Sequence, residues 1–190
     1  MIFTATKHPV TERGRPPDSF LTELVEWARA EQDAVFAPND APVEIFTLIR
    51  PKLGNDAGGW DDPLHRKAAL CEAMRVHAGY ESSWKWQEGV DKTNRTSMAN
   101  IEGQETGIFQ VSWDSTRLHL SLHEYARSIG ILDKPAVFIA AMKSNHLLAL
   151  SYYARLVRRS IKWAGPLLHG FIVQDLNRDA MNEFRQLLTA

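Results

Sequence analysis

The chain has 190 residues, 44% hydrophobic and 24% charged, with a formal net charge of -1. That balance suits a folded domain with its own core, and it excludes the basic excess expected of a nucleic-acid binder. The single Cys71 excludes an intramolecular disulfide, and its apolar helical setting predicts a buried thiol.

Residues 1–17 are polar, end in Arg15-Pro16-Pro17, and read as an extended arm. Asp18-Ser19 is placed to cap a helix carrying Phe20, Leu21, Leu24, Val25, Trp27 and Ala28 at helical spacing. After a loop at Pro38-Asn39-Asp40, a short helix with Val43, Ile45, Phe46, Leu48 and Ile49 is expected to stop at Pro51. Gly54 to Gly59 reads as a breaker. Asp62-Pro63 then gives the cap and first-turn proline of a helix reaching about Tyr80, with Gly79 at its end and Glu81 directly after it.

Residues 85–106 are polar and read as a loop or a small hairpin. Asp114-Ser115 is placed to cap a helix through Ile129, and Lys134-Pro135 to open one long helix as far as Arg159. Arg155, Arg158, Arg159 and Lys162 read as a solvated basic face near that helix's negative end. After Gly165-Pro166, two short helices over about 166–174 and 179–189 complete an all-α chain. No window of about 18 apolar residues predicts a membrane span. The start, Met1 to Val10, lacks the apolar run of a signal peptide, so the chain is expected to be made in the cytoplasm.

The most telling pair of segments is Gly79-Tyr80-Glu81-Ser82-Ser83-Trp84 and Gly107-Ile108-Phe109-Gln110-Val111-Ser112. The first puts a carboxylic acid at a helix end beside Tyr80, Trp84 and Trp86, whose rings disfavour its ionised form and are suited to stack on sugar faces. The second is a tight, glycine-started turn carrying an amide. Glycoside cleavage needs one carboxyl kept protonated and a second group to manage the developing oxocarbenium ion. Asp91, Glu102 and Glu105 lie between the segments, and Asp114 follows them.

Glu81-Ser82 and Gly107-Ile108-Phe109-Gln110 resemble the paired motifs of the lysozyme-like superfamily, the Glu-Ser and Gly-Leu-Met-Gln of soluble lytic transglycosylases and goose-type lysozymes. The resemblance covers residues 62–170, leaving 1–60 as an arm and helical extension before a catalytic domain at 61–190. It implies a lysozyme-like helical fold and a muramidase or lytic transglycosylase acting on the β-1,4 backbone of peptidoglycan. Glu81 takes the part of general acid. Gln110 and the backbone around Ile108 and Phe109 line the cleft, Ser82 braces the turn and contributes to the substrate side, and Tyr153 approaches the acid and joins the substrate-binding residues. Trp84 joins the sugar-binding surface.

Goose-type lysozymes place Asp where this chain has Ser112, so the second carboxylate is open; Glu105 is preferred to Glu102, Asp91 and Asp114. Two other readings stand beside this one: an inactive glycan- or partner-binding module on the same fold, and a chitin- or chitosan-type glycosidase. A wall-cutting enzyme made in the cytoplasm would act after release or delivery into another cell, the latter with an immunity protein as partner. No cofactor is implied. His119 and His123 have zinc-capable spacing but no third ligand nearby, and Asn94-Arg95-Thr96 is a chance glycosylation match without a secretory signal.

Overall fold

The structure, a computed structural model, describes residues 1–190 apart from 40–42, 55–58, 91–98, 161–164, 166 and 170–172. Its helices are α1 (Asp18–Ala30), α2 (Ile45–Leu53), α3 (Pro63–Ser82), α4 (Leu120–Ser128), α5 (Pro135–Ser144), α6 (His146–Arg159) and α7 (Arg178–Thr189), with short 3-10 turns between them. The all-α expectation holds among the described residues; the only ladder contacts there are isolated bridges, Val10 with Gly14 and Thr106 with Val111. No described helix is long and apolar enough to cross a membrane.

Helix α3 is the axis of the molecule, packed by α1, α2 and α7. Asp62 accepts from Leu64 N at 3.0 Å and Pro63 opens the first turn, as the sequence predicts. Every residue from His65 to Gly79 is buried, so α3 has no solvent face. Its polar side chains must therefore find partners inside. Arg66 pairs with Glu44 at 2.8 Å, Lys67 donates to Glu31 O at 2.8 Å, and Arg75 grips Glu72 through two bonds of 2.7 Å. The helix ends two residues later than expected, at Ser82, because Ser83 takes the left-handed conformation (φ 51°) that returns the chain to the Ala78 and Gly79 carbonyls. Glu81 thus lies in the last turn rather than beyond it.

Residues 1–60 do not form a separate layer. Val10, the buried residues of α1 and those of α2 join one core with α3, α6 and α7. The arm is not free either: Thr4 N and Thr6 N donate to the Glu183 carboxylate at 2.8 and 2.6 Å, and His8 O accepts from Arg75 at 2.7 Å.

Several boundaries move from their predicted places. Asp18 is inside α1, paired with Lys7 at 2.6 Å, and Pro17 holds the cap position without a side-chain bond. Helix α2 runs through Pro51 to Leu53, opened by a Glu44–Thr47 capping box. The segment after Asp114 is a 3-10 turn (Trp113–Arg117) followed by α4, whose cap is the His119 ring accepting from Ser121 N. The expected long helix is two, α5 and α6, because Asn145 turns its side chain onto Leu148 N and starts a new helix. The basic face at the end of α6 is largely interior: Arg158 is 4% exposed and binds the Glu44 carboxylate and the Val35 and Ala37 carbonyls, while Arg155 pairs with Glu31 at 3.0 Å. Of the two final helices, α7 is present; Lys162, Pro166 and residues 170–172 of the other lie outside the described residues.

Candidate active site

Glu81 projects from the last turn of α3 with its side chain 25% exposed. One turn earlier on the same face, the buried His77 brings Nε2 to 3.6 Å from Glu81 Oε1. Beneath them lies an aromatic floor: the Tyr153 ring stacks on Phe109 at 4.0 Å and 8°, and His77 meets Tyr153 at 4.7 Å. Tyr153 is 1% exposed, and among the described residues its hydroxyl has no hydrogen-bond partner. Burial and the nearby Glu81 charge together hold that phenol protonated. Gly165 closes one side. A Cβ there would stand 2.7 Å from Glu81 Oε1 and 3.2 Å from His77 Cε1, so a side chain at this left-handed position (φ +43°) would push the carboxyl from its place.

These surroundings shift the proton affinity of Glu81 to a pKa of about 7. Burial is the largest cause; the charge of Glu105 adds to it and that of Arg13 opposes it.

The second motif is a closed turn. Thr106 and Val111 exchange two backbone bonds of 3.0 and 3.1 Å, and the residues between them reverse the chain. Between the motifs, where a loop or small hairpin is expected over 85–106, the described residues carry no strand and a 3-10 turn at Ile101–Gly103, and 91–98 lie outside them. Gly107 has φ +71°, and a Cβ on it would come within 2.8 Å of Met142 O. Gln110, also left-handed at φ 46°, locks the turn by donating Nε2 to Gly107 O at 2.8 Å. Ser82 ties the two motifs together: its hydroxyl lies 2.9 Å from Ile108 O and 3.0 Å from Ala78 O. Gly107→Ala is therefore expected to lower stability by about 1–3 kcal/mol, from the left-handed backbone and the clash with Met142. Thermal unfolding of the variant checks this, and an unchanged midpoint would show that the turn has another way to close.

Of the predicted residues, the structure brings Glu81, Glu105 and Tyr153 to one place, with Glu105 exposed at the start of the turn. Ser82, Ile108, Phe109 and Trp84 are at most 5% exposed. A direct side-chain contact with sugar is corrected for these four and for Tyr153, which is 1% exposed: their side chains build the site from beneath. Trp84 packs its ring against Gly79 and donates Nε1 to Arg75 O at 2.9 Å. Gln110 is half-buried, with one amide hydrogen bond inside its own turn. Glu102 pairs with Arg117 at 2.8 Å and Asp114 accepts from Ser112 at 2.5 Å, so both are engaged within their own loop; Asp91, Asn94 and Trp163 lie outside the described residues.

Trp60 is core, while Trp86 stacks on His146 at 3.8 Å and 7°. His123 faces Arg127 at 3.1 Å, and among the described residues no three His, Cys, Asp or Glu side chains converge on a metal position.

Three neighbours of Glu81 were not singled out in the sequence. His77 was detectable, since it stands four residues before the acid on a predicted helix. Gly165 and Arg13 were not, because each reaches the site through the tertiary fold. Arg13 comes from the arm, with its guanidinium carbon 5.9 Å from the centre of the Tyr80 ring. The Tyr80 hydroxyl donates to Asp175 at 2.7 Å, and Thr11 fixes the same carboxylate through bonds of 3.0 and 2.8 Å. The chain matches no protein-family model, no curated protein and no solved structure.

Proposed function

We propose that this chain is a helical, lysozyme-like glycosidase that cleaves the β-1,4 backbone of peptidoglycan, with Glu81 as the proton donor. The observation that carries the reading is Glu81 itself: a carboxyl at the end of a buried helix, over an aromatic floor, with a pKa of about 7. A general acid at near-neutral pH needs a proton affinity in that range. The exposed Glu105, close enough for its charge to be felt at Glu81, supplies the pairing of unlike carboxyls that glycoside cleavage uses.

In the first step Glu81 protonates the leaving glycosidic oxygen while positive charge builds at the anomeric carbon. Two completions follow from who answers that charge. If Glu105 holds a water on the far face, the water attacks and the product has a free reducing end. If the C6 hydroxyl of the same sugar attacks the anomeric carbon, the ionised Glu81 accepts that hydroxyl's proton, the cleaved sugar leaves with the proton given in the first step, and a 1,6-anhydro ring forms. Mass spectrometry of the muropeptides released from purified peptidoglycan distinguishes the two, and the reading expects one of these ends. Folded protein that releases neither, yet sediments with the wall, would replace the enzyme with a glycan-binding module.

A further inference from the structure

Arg13 stands at the tip of a small turn whose ends are fixed and whose cation meets no anion among the described residues. The turn closes through Val10 N to Gly14 O at 2.8 Å and Arg13 N to Val10 O at 3.0 Å. Glu12, next to the tip, holds φ +61°, a left-handed backbone that a side chain tolerates only where its surroundings impose it. Those surroundings are visible: Thr11 grips Asp175 with both its amide and its hydroxyl, and His8 O is held by the buried Arg75. Arg13 itself is exposed, and among the described residues no hydrogen bond or ion pair engages its guanidinium. Its contact is with the ring of Tyr80, the residue before Glu81. A cation over a ring still presents its N–H edges to a ligand.

The local charge makes this arginine the exception. Glu81, Glu105 and Asp175 all lie on this side of the molecule. A glycan strand bearing carboxylates would be repelled by those acids unless a cation met it.

We propose that Arg13 binds a carboxylate carried by the glycan strand beside the bond that Glu81 protonates, and so selects acidic strands over neutral ones of the same sugars. The inference rests on the glycosidase reading and names the substrate group that the arm recognises. A guanidinium fork suits a carboxylate because it offers two parallel N–H bonds of opposite charge. The Arg13 charge also reaches Glu81, where it opposes the effects of burial and Glu105. Its place over the ring of Tyr80, the residue directly before Glu81, puts the side chain within reach of a strand seated on the acid.

The test uses two substrates, peptidoglycan strands as isolated and the same strands with their carboxylates amidated, at low salt. On native strands, at a pH below the Glu81 pKa of about 7 where the acid is protonated in both proteins, Arg13→Gln is expected to raise KM about tenfold, the scale of one charge-assisted pair, and to leave kcat nearly unchanged. On amidated strands, wild type and variant should have the same KM, and Arg13→Lys should recover part of the loss on native ones. Equal KM values on native strands, or an equal loss on both substrates, would overturn the assignment. Wild-type protein that cuts neither substrate would instead sink the glycosidase reading. Co-sedimentation with the two strands then decides Arg13 separately: weaker binding of Arg13→Gln to native strands alone supports the site, and equal or no binding removes it.

Discussion

Glu81→Gln is expected to lower peptidoglycan turnover by roughly 10²–10⁴-fold, the contribution of a positioned general acid, while the protein stays folded. The amide keeps the shape of the side chain and its place beside His77 and Gly165, but it has no proton to give. The wild-type rate should carry the signature of that proton. Activity is present while Glu81 is protonated and falls about tenfold per pH unit as pH rises above about 7. The groups facing this carboxyl are His77 from its own helix, Tyr153 from α6, Glu105 from the turn and Arg13 from the arm. Removing the Glu105 charge lowers the proton affinity of Glu81 and moves the limb to lower pH. If Glu105 also holds the attacking water, Glu105→Gln abolishes hydrolysis altogether, so one variant separates a tuning role from a catalytic one.

Stability gives an independent check on the same residue. The pKa of Glu81 is raised on folding from 4.5 to about 7. Below pH 4.5 the carboxyl is neutral in both states and has no effect on folding. Above pH 7 it is ionised in both, and the fold bears the difference. Glu81→Gln should thus unfold at a higher temperature than wild type at pH 8, by an amount on the order of 2 kcal/mol, and the gain should vanish at pH 4. An inactive variant that is also less stable at pH 8 would mean that Glu81 is an ordinary structural acid, and the catalytic reading would fall with it.

Much of this site was legible because its signals are local. A cap such as Asp62-Pro63 works through a bond two residues long, and a turn such as Gly107 to Gln110 closes on itself, so residue type and spacing suffice to find both. The place of Glu81 at the end of its helix followed from the same short range, but its aromatic floor did not: Phe109 and Tyr153 stand there, while Trp84 donates to Arg75 O and Trp86 stacks on His146. The misplaced features depend on partners far along the chain. Arg158 looks like one more cation on a helix end, yet Glu44 and two carbonyls from residues 35 and 37 draw it inside. Helical periodicity runs unbroken across Asn145, since a side chain capping its own backbone leaves no trace in an apolar pattern. The arm looks polar and loose because the acids that hold it, Asp175 and Glu183, lie near the other end of the sequence. The helix α3 was legible, but its burial on every side from His65 to Gly79 was not: a helix surrounded by neighbours shows no apolar stripe against a polar face.

The pair that joins the arm to the site carries the largest stability effect expected in this molecule. Glu72 and Arg75 both have side chains 0% exposed. Glu72 accepts two bonds from Arg75 and a third from Asn177 N at 2.7 Å, the amide that precedes α7. Arg75 passes the connection on to His8 O at 2.7 Å and Asp175 O at 3.2 Å. Glu72→Ala leaves a guanidinium charged and enclosed with only carbonyls around it, and it leaves the Asn177 amide without its acceptor. The cost should be about 3–5 kcal/mol, the range for breaking one side of a buried ion pair and a large share of the stability of a domain this size. Replacing both partners with apolar side chains of similar volume should recover much of it, because the desolvation of two charges is then avoided. Urea unfolding of the single and double variants makes the comparison. A single variant that loses less than about 1 kcal/mol would show that water or a shifted partner reaches Arg75. The functional consequence follows from what the pair holds: His8 sits two residues before the turn that carries Arg13, and Asp175 anchors both Thr11 and Tyr80. Loosening Glu72 and Arg75 should therefore erase the preference for carboxylate-bearing strands at temperatures where α3, and with it Glu81, is still folded.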